Sequence, residues 1–183
     1  MDLEITPATE ADYGVVANLA RFYIYDMAEH MGAHFPPDGL FDAHDHFASY
    51  WGRPAPVRAW PKGWQGFPFL VRVDGHPAGF ALVKRIAEAP AIFDMGEFFI
   101  GRQHRRRGIG QRVATSLFDR FTGDWEVREM PTNIPAQKFW RRIIADYSGG
   151  AFTEAREGFA AYDGREFIVQ RFHTRAAKPA SVT

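Results

Sequence analysis

The chain has no cysteine. That excludes disulfides, thiolate metal sites and a cysteine nucleophile. Lysine is scarce: Lys62, Lys84, Lys138 and Lys178 stand against a large excess of arginine, which reads as genome bias rather than function. Net charge is missing too, since 22 basic residues balance 22 acidic ones at a pI of about 7.1. This argues against a general affinity for nucleic acid, and the arginine cluster is a local feature. No apolar run approaches the ~20 residues of a membrane span. The segment MDLEITPATEAD at the N-terminus lacks a signal-peptide pattern, so the expectation is a cytoplasmic protein. What is present is 46% hydrophobic residues in 183, enough for one core. One domain over residues 1–173 is expected, followed by a disordered tail over 174–183 rich in Ala, Lys, Pro and Ser.

The chain is organised around residues 95–121. An apolar run, Phe98, Phe99 and Ile100, leads into Arg105, Arg106, Arg107, Gly108, Ile109 and Gly110. Apolar residues then recur at Ile109, Val113, Leu117 and Phe121, so the reading is strand, basic glycine loop, helix. Such a junction leaves backbone N–H groups without intrahelical partners, and the helix dipole adds positive character there. It is a ready site for an anion such as phosphate. A plain strand-to-helix turn with a solvated basic face accounts equally well for the loop taken alone.

Taken in order, the chain begins with a strand at Leu3–Thr6. Thr9 and Asp12 form a short capping box for a helix from about Glu10 to about Met27, with Val15, Val16, Leu19, Phe22 and Tyr23 on one face. Residues 32–66 are broken by proline and glycine but carry too many aromatics for a linker. They pack over one end of the core or wall a substrate pocket, with a short helix near 41–51. Phe69–Val73, the turn Asp74-Gly75 and Ala78–Ile86 make a hairpin whose loop His76 and Pro77 lengthen. Ala91–Ile100 and Trp125–Met130 read as strands. A second amphipathic helix starts at Pro135, with Ala136, Phe139, Trp140, Ile143 and Ile144 on its buried face. Ala151–Glu154 and Phe167–Phe172 close the fold.

The segment Ile100–Gly110 resembles motif A of the GNAT acetyltransferase superfamily, with Arg105, Gly108 and Gly110 at the motif positions. The stretch Asn133-Ile-Pro-Ala136-Gln-Lys-Phe139-Trp140 looks like that family's Asn-x-x-Ala-x-x-Phe-Tyr motif. The resemblance extends from Leu3 to Phe172 and is sharp over 95–145. It implies an α+β fold: a mixed, mostly antiparallel central sheet flanked by helices in three α/β/α layers. It also implies acetyl-coenzyme A as co-substrate. Its pyrophosphate would rest on the backbone of Arg105, Arg106, Arg107, Gly108, Ile109, Gly110 and Gln111, with the arginine side chains reaching toward the ribose phosphate. Glycine at 108 and 110 lets the backbone approach phosphate. Phe98, Phe99 and Ile100 would pair with the pantetheine arm and polarise the thioester carbonyl. Asn133 would touch the cofactor, and Trp140 would lie near its thiol end.

The implied reaction is direct transfer of acetyl from the thioester to a primary amine. The alternative is a non-catalytic acyl-coenzyme A sensor or binding module. A free alkyl amine has a pKa of ~10, so a base helps at neutral pH. Glu97, just before the cofactor-pairing residues, is the candidate base; a solvated strand residue is the bland alternative. Tryptophan stands at 140 where the family often has a tyrosine acid. Indole N–H donates a hydrogen bond but not a proton, so Tyr147, a water, or no acid at all takes that role.

Tyr25, Asp26 and Glu29 lie where this family shapes its acceptor pocket, and the two carboxylates would favour a cationic acceptor; a solvated helix end is the bland alternative. His30, His34, His44 and His46, with Asp38, Asp42 and Asp45, match no compact metal spacing, and no metal is expected. The partner is a small-molecule or peptide amine, with no nucleic acid and no membrane, and exposed aromatics are compatible with a homodimer.

Overall fold

Alternation of apolar residues along β-branched and aromatic runs produces seven strands in the computed structural model, which describes residues 1–41, 47–53, 63–86, 92–159, 162 and 164–174. They are β1 (Leu3–Pro7), β2 (Gln65–Val73), β3 (His76–Ile86), β4 (Ile92–Ile100), β5 (Asp124–Glu129), β6 (Phe152–Phe159) and β7 (Arg165–His173). They form one sheet in the order β1-β2-β3-β4-β5-β7-β6. Every neighbouring pair is antiparallel except β4 and β5, which run parallel. Among the elements wholly within the described residues, the α-helices are α1 (Tyr13–Met31), α2 (Ile109–Arg120) and α3 (Ile134–Ser148).

Successive strand residues face opposite sides, and each side has its own core. Leu70, Phe80, Leu82 and Phe99 pack with Val16 and Ala20 of α1 and with Phe47 and Tyr50. Val71, Ala81, Val83 and Val127 pack on the other face with Val113 and Leu117 of α2 and Ile143 and Ile144 of α3. The result is the three-layer α+β arrangement anticipated from the sequence.

Several boundaries move. The Thr9–Asp12 box forms, with Asp12 accepting from the Thr9 amide at 2.9 Å and hydroxyl at 2.8 Å. It opens a 3-10 turn at Glu10–Asp12 that runs into α1. The helix continues to Met31, beyond the expected Met27, and stops at Gly32 in a left-handed conformation. His76 and Pro77 do not lengthen the β2–β3 loop. Val73 pairs with His76, and Asp74 (φ 50) and Gly75 (φ 78) form a tight two-residue turn. Strand β6 runs to Phe159 rather than ending at Glu154. Thr174 belongs to the fold and not to the tail: it is buried and exchanges hydrogen bonds with the Gly123 backbone. Much of the expected helix near 41–51, part of the 32–66 insertion, and His44, His46, Asp42 and Asp45 lie outside the described residues.

Candidate active site

β4 and β5 pair only from Ile92–Asp94 to Asp124–Glu126. Past that point the strands diverge, and a cavity of about 540 Å³ opens between them, walled by both strands, by α1 and by the start of α3. The root of the gap is clamped by buried charge. Asp94 pairs with Lys84 at 3.1 Å and Arg128 at 3.5 Å, while Glu126 pairs with Arg128 and, at 2.6 Å, with Arg171. Such pairs are costly to desolvate but costlier to break singly, so they fix where the strands part.

At the far end of β4 the chain makes a short turn (Arg102–His104) and enters α2 through Gly108, which has φ 75. Gly108, at the N-cap, has no side chain to close that helix, so its first N–H groups lack intrahelical partners. Arg106 (φ 59) also adopts the left-handed conformation, and Arg105, Arg106, Arg107, Gly108 and Gln111 are exposed. The two glycines serve different ends. A Cβ at Gly108 would meet open space, whereas one at Gly110 would press on the Phe139 ring at 3.1 Å. Gly108 provides the turn and the open approach; Gly110 provides α2–α3 packing. Ile109 is buried and anchors the helix to the core.

The Arg105 side chain turns away from the loop mouth. Its Nε donates to the Ile100 carbonyl at 2.7 Å, and its terminal nitrogen pairs with Asp26 of α1. Arg102 joins the same carboxylate at 2.7 Å. Burial acts to raise the Asp26 pKa, but the hydrogen bonds from Arg105 and Arg102 prevail and hold it low. Asp26, expected in the acceptor pocket, therefore ties α1 to the glycine loop. With Tyr25 and Glu29 it borders a separate, smaller cavity of about 250 Å³. Tyr25 is exposed and its ring lies 5.8 Å from that of Phe35.

Glu97 lines the large cavity from β4. A bulge precedes it: Met95 pairs with Val83 and Glu97 with Leu82, leaving Gly96 as the extra residue. A Cβ at 96 would fall 2.0 Å from the Tyr50 hydroxyl oxygen, so only glycine fits. Tyr23 of α1 donates its hydroxyl to the Glu97 carboxylate, and burial and then that charge push the Tyr23 phenol well up. Phe98 also lines the cavity, while Phe99 and Ile100 bury their side chains in the two cores.

On the β5 side, Asn133 caps α3, accepting from the Ala136 amide at 3.1 Å, and borders the cavity. Trp140 is buried against Phe98 (ring centroids 5.0 Å apart) and also reaches the cavity. Tyr147 does not. Its hydroxyl donates to Asp119 at 2.7 Å, and burial and this contact raise its pKa. Tyr147 thus sits between α2 and α3, two turns along from Trp140, and is not placed to protonate anything in the cavity. Sequence reasoning missed Tyr23, Tyr50, the Lys84–Asp94–Arg128 clamp and Glu129. The first two carry no signal beyond aromatic periodicity, and the charged residues carry no local pattern that distinguishes them from solvated strand positions.

A splayed parallel pair, a bulged strand carrying Glu97 and a glycine junction at the strand's end place an open cleft at the centre of a mixed α+β sheet. The family model described as "Acetyltransferase (GNAT) family" matches residues 25–144, and the chain belongs to that family. The fold is similar to that of the ribosomal-protein-S18-alanine N-acetyltransferase from Escherichia coli. That match has a TM-score of 0.56 and 17% identity, and covers 100% of this chain and 99% of that one. It is similar to an acetyltransferase of the GNAT family from Staphylococcus aureus, with a TM-score of 0.62, 10% identity and 95% and 100% coverage. A third match is N-acetylglutamate synthase from Neisseria gonorrhoeae, complexed with coenzyme A and N-acetyl-glutamate. There the TM-score is 0.57, identity 17%, and coverage 96% of this chain and 36% of that one. No curated protein matches in sequence. Among the described residues, no helix is long and apolar enough to cross a membrane.

Proposed function

We propose that this protein is an acetyl-coenzyme A-dependent N-acetyltransferase that passes the acetyl group directly to a primary amine of a small molecule or peptide. The observation that carries the reading is the gap between β4 and β5, lined by Glu97 and ending at an uncapped glycine junction. The residues present fit the co-substrate. Gly108 leaves open space above the junction, and the backbone of Arg105–Gly110 would receive the pyrophosphate there. The unpaired edge of Met95–Ile100 would receive the extended pantetheine arm as an added strand. Bound there, acetyl-coenzyme A supplies an acetyl group activated as a thioester.

Each residue then has a task. Backbone N–H groups beside the Gly96 bulge polarise the carbonyl. Glu97 accepts the proton that the attacking amine must lose, and Tyr23 holds that carboxylate in place. Asn133 and Trp140 border the thiol end, and the Asp26–Arg105 pair keeps the loop in register with α1. Tryptophan at 140 also supports a second reading, a non-catalytic acyl-coenzyme A sensor.

Calorimetric titration with acetyl-coenzyme A, followed by free-thiol release over a panel of amines, tests both. Micromolar-range binding lost in Gly108→Trp, with turnover that falls in Glu97→Gln, supports the enzyme. Binding without turnover for any amine supports the sensor, and no binding by the wild type removes both.

A further inference from the structure

Glu129 ends β5 and lines the cavity, yet the residue is only 4% exposed. Among the described residues, neither carboxyl oxygen has a hydrogen-bond partner beyond the residue's own backbone amide. Val127, two residues earlier and so on the same face, packs in the core that contains Trp140. Glu129 therefore lies on the α3 side of the sheet. One turn of α3 brackets it. Gln137 donates to the carbonyl of the next residue, Met130, at 3.0 Å, Trp140 borders the same cavity, and Arg141 contributes the helix's nearby cation.

From β6, Glu154 faces the same spot, but its carboxylate is engaged by Arg141 at 2.7 and 3.0 Å and by Gln170 at 2.8 Å. Burial, and next the repulsion from Glu154, push the Glu129 carboxyl up to about 8, with Arg141 pulling the other way. At neutral pH it is a neutral acid with an O–H to donate. A buried polar group without a partner is destabilising, and a catalytic role is one of the reasons a native structure keeps one. Here the residue at 140 that borders the cavity beside it is a tryptophan, which has no proton to give.

We propose that Glu129 is a catalytic acid of this protein, giving its proton to the departing sulfur in the position where Trp140 supplies none; this rests on the acetyltransferase reading above. As the amine nitrogen bonds to the acetyl carbon, its surplus proton passes to Glu97. As the carbon–sulfur bond breaks, its electron pair goes to sulfur, and the Glu129 O–H proton forms the S–H bond. Glu129 is left as a carboxylate and recovers a proton from solvent, while Glu97 releases one to solvent. The sum is one amide and one free thiol, with no other reactant.

The test pairs kinetics with a measurement that needs no acceptor. In Glu129→Gln, which keeps the side-chain volume but has no acidic proton, kcat is expected to fall about tenfold or more. The KM for acetyl-coenzyme A should stay within about twofold, and the decline in wild-type rate above about pH 8 should vanish. A residue needed only for structure would leave that alkaline limb in place. Carbon-13 NMR of glutamate-labelled protein, with the Glu129 carboxyl assigned by its loss in the variant, should show a protonated carboxyl at pH 7 whose resonance moves when acetyl-coenzyme A binds. Wild-type kinetics retained in Glu129→Gln, or a carboxyl resonance indifferent to bound acetyl-coenzyme A, overturns the assignment while leaving the acetyltransferase reading intact. Failure of the wild type to bind acetyl-coenzyme A overturns both.

Discussion

The two walls of the cavity solve different problems with similar materials. β4 leads into α2 through an uncapped glycine turn, while β5 leads into α3 through Asn133, whose side chain satisfies the Ala136 amide. One helix start is left open to an outside ligand; the other is closed by the protein itself. Each wall also carries a glutamate three residues past the last paired rung, Asp94 opposite Glu126. Glu97 is held by the Tyr23 hydroxyl, whereas Glu129 is buried near Glu154 and Arg141 with its oxygens unmatched among the described residues. Equal spacing along two strands thus places two glutamates in different surroundings, and at the second burial, then the Glu154 charge, raises the pKa.

Breaking the open junction should have the largest effect. Gly108→Trp places a bulky residue at φ 75, and titration should show acetyl-coenzyme A affinity weakened by about 100-fold or more, with the fold retained by circular dichroism. Breaking the partnered carboxylate comes next: Tyr23→Phe, which leaves Glu97 without its hydroxyl, is expected to lower kcat by about tenfold.

The unmatched acid should show itself in stability. A carboxyl whose folded pKa lies above the unfolded value of about 4.5 adds stability that is whole below pH 4.5 and lost as pH rises through about 8. Denaturant unfolding of the wild type against Glu129→Gln, from pH 5 to pH 8, should therefore show the wild type losing roughly 2–4 kcal/mol relative to the variant. The smallest effect belongs to the closed junction: Asn133→Ala is expected to cost about 1 kcal/mol in the same assay.

How much of this was written legibly in the sequence follows from what each signal depends on. The helices announce themselves by local periodicity, as in Val113, Leu117 and Phe118 of α2, and the strand–glycine–helix junction by composition at a single place. β6 was expected to end at Glu154, because the charged Arg156 and Glu157 beyond it carry no apolar alternation. It is an edge strand whose charges pair across to β7, as Arg171 does with Glu157 and Arg156 with Glu166. Asp26 looked like an acceptor residue from its place at the end of α1, but its partners, Arg102 and Arg105, lie more than seventy residues away. Glu129 was unreadable for the same reason. Whether a strand glutamate meets water or the underside of a helix depends on where α3 lands, and local pattern carries no such information. Tyr147 failed as an acid because α3 carries it past the cavity to Asp119.

The central claim is that the gap between β4 and β5 is a site of acetyl transfer. Free-thiol release from acetyl-coenzyme A, followed over a panel of amines for the wild type and Glu97→Gln, reads it directly. Amine-dependent release by the wild type, slowed about 100-fold in the variant, is the expected result. A wild type that binds acetyl-coenzyme A but releases no thiol with any amine, or a variant that matches it, would contradict the claim.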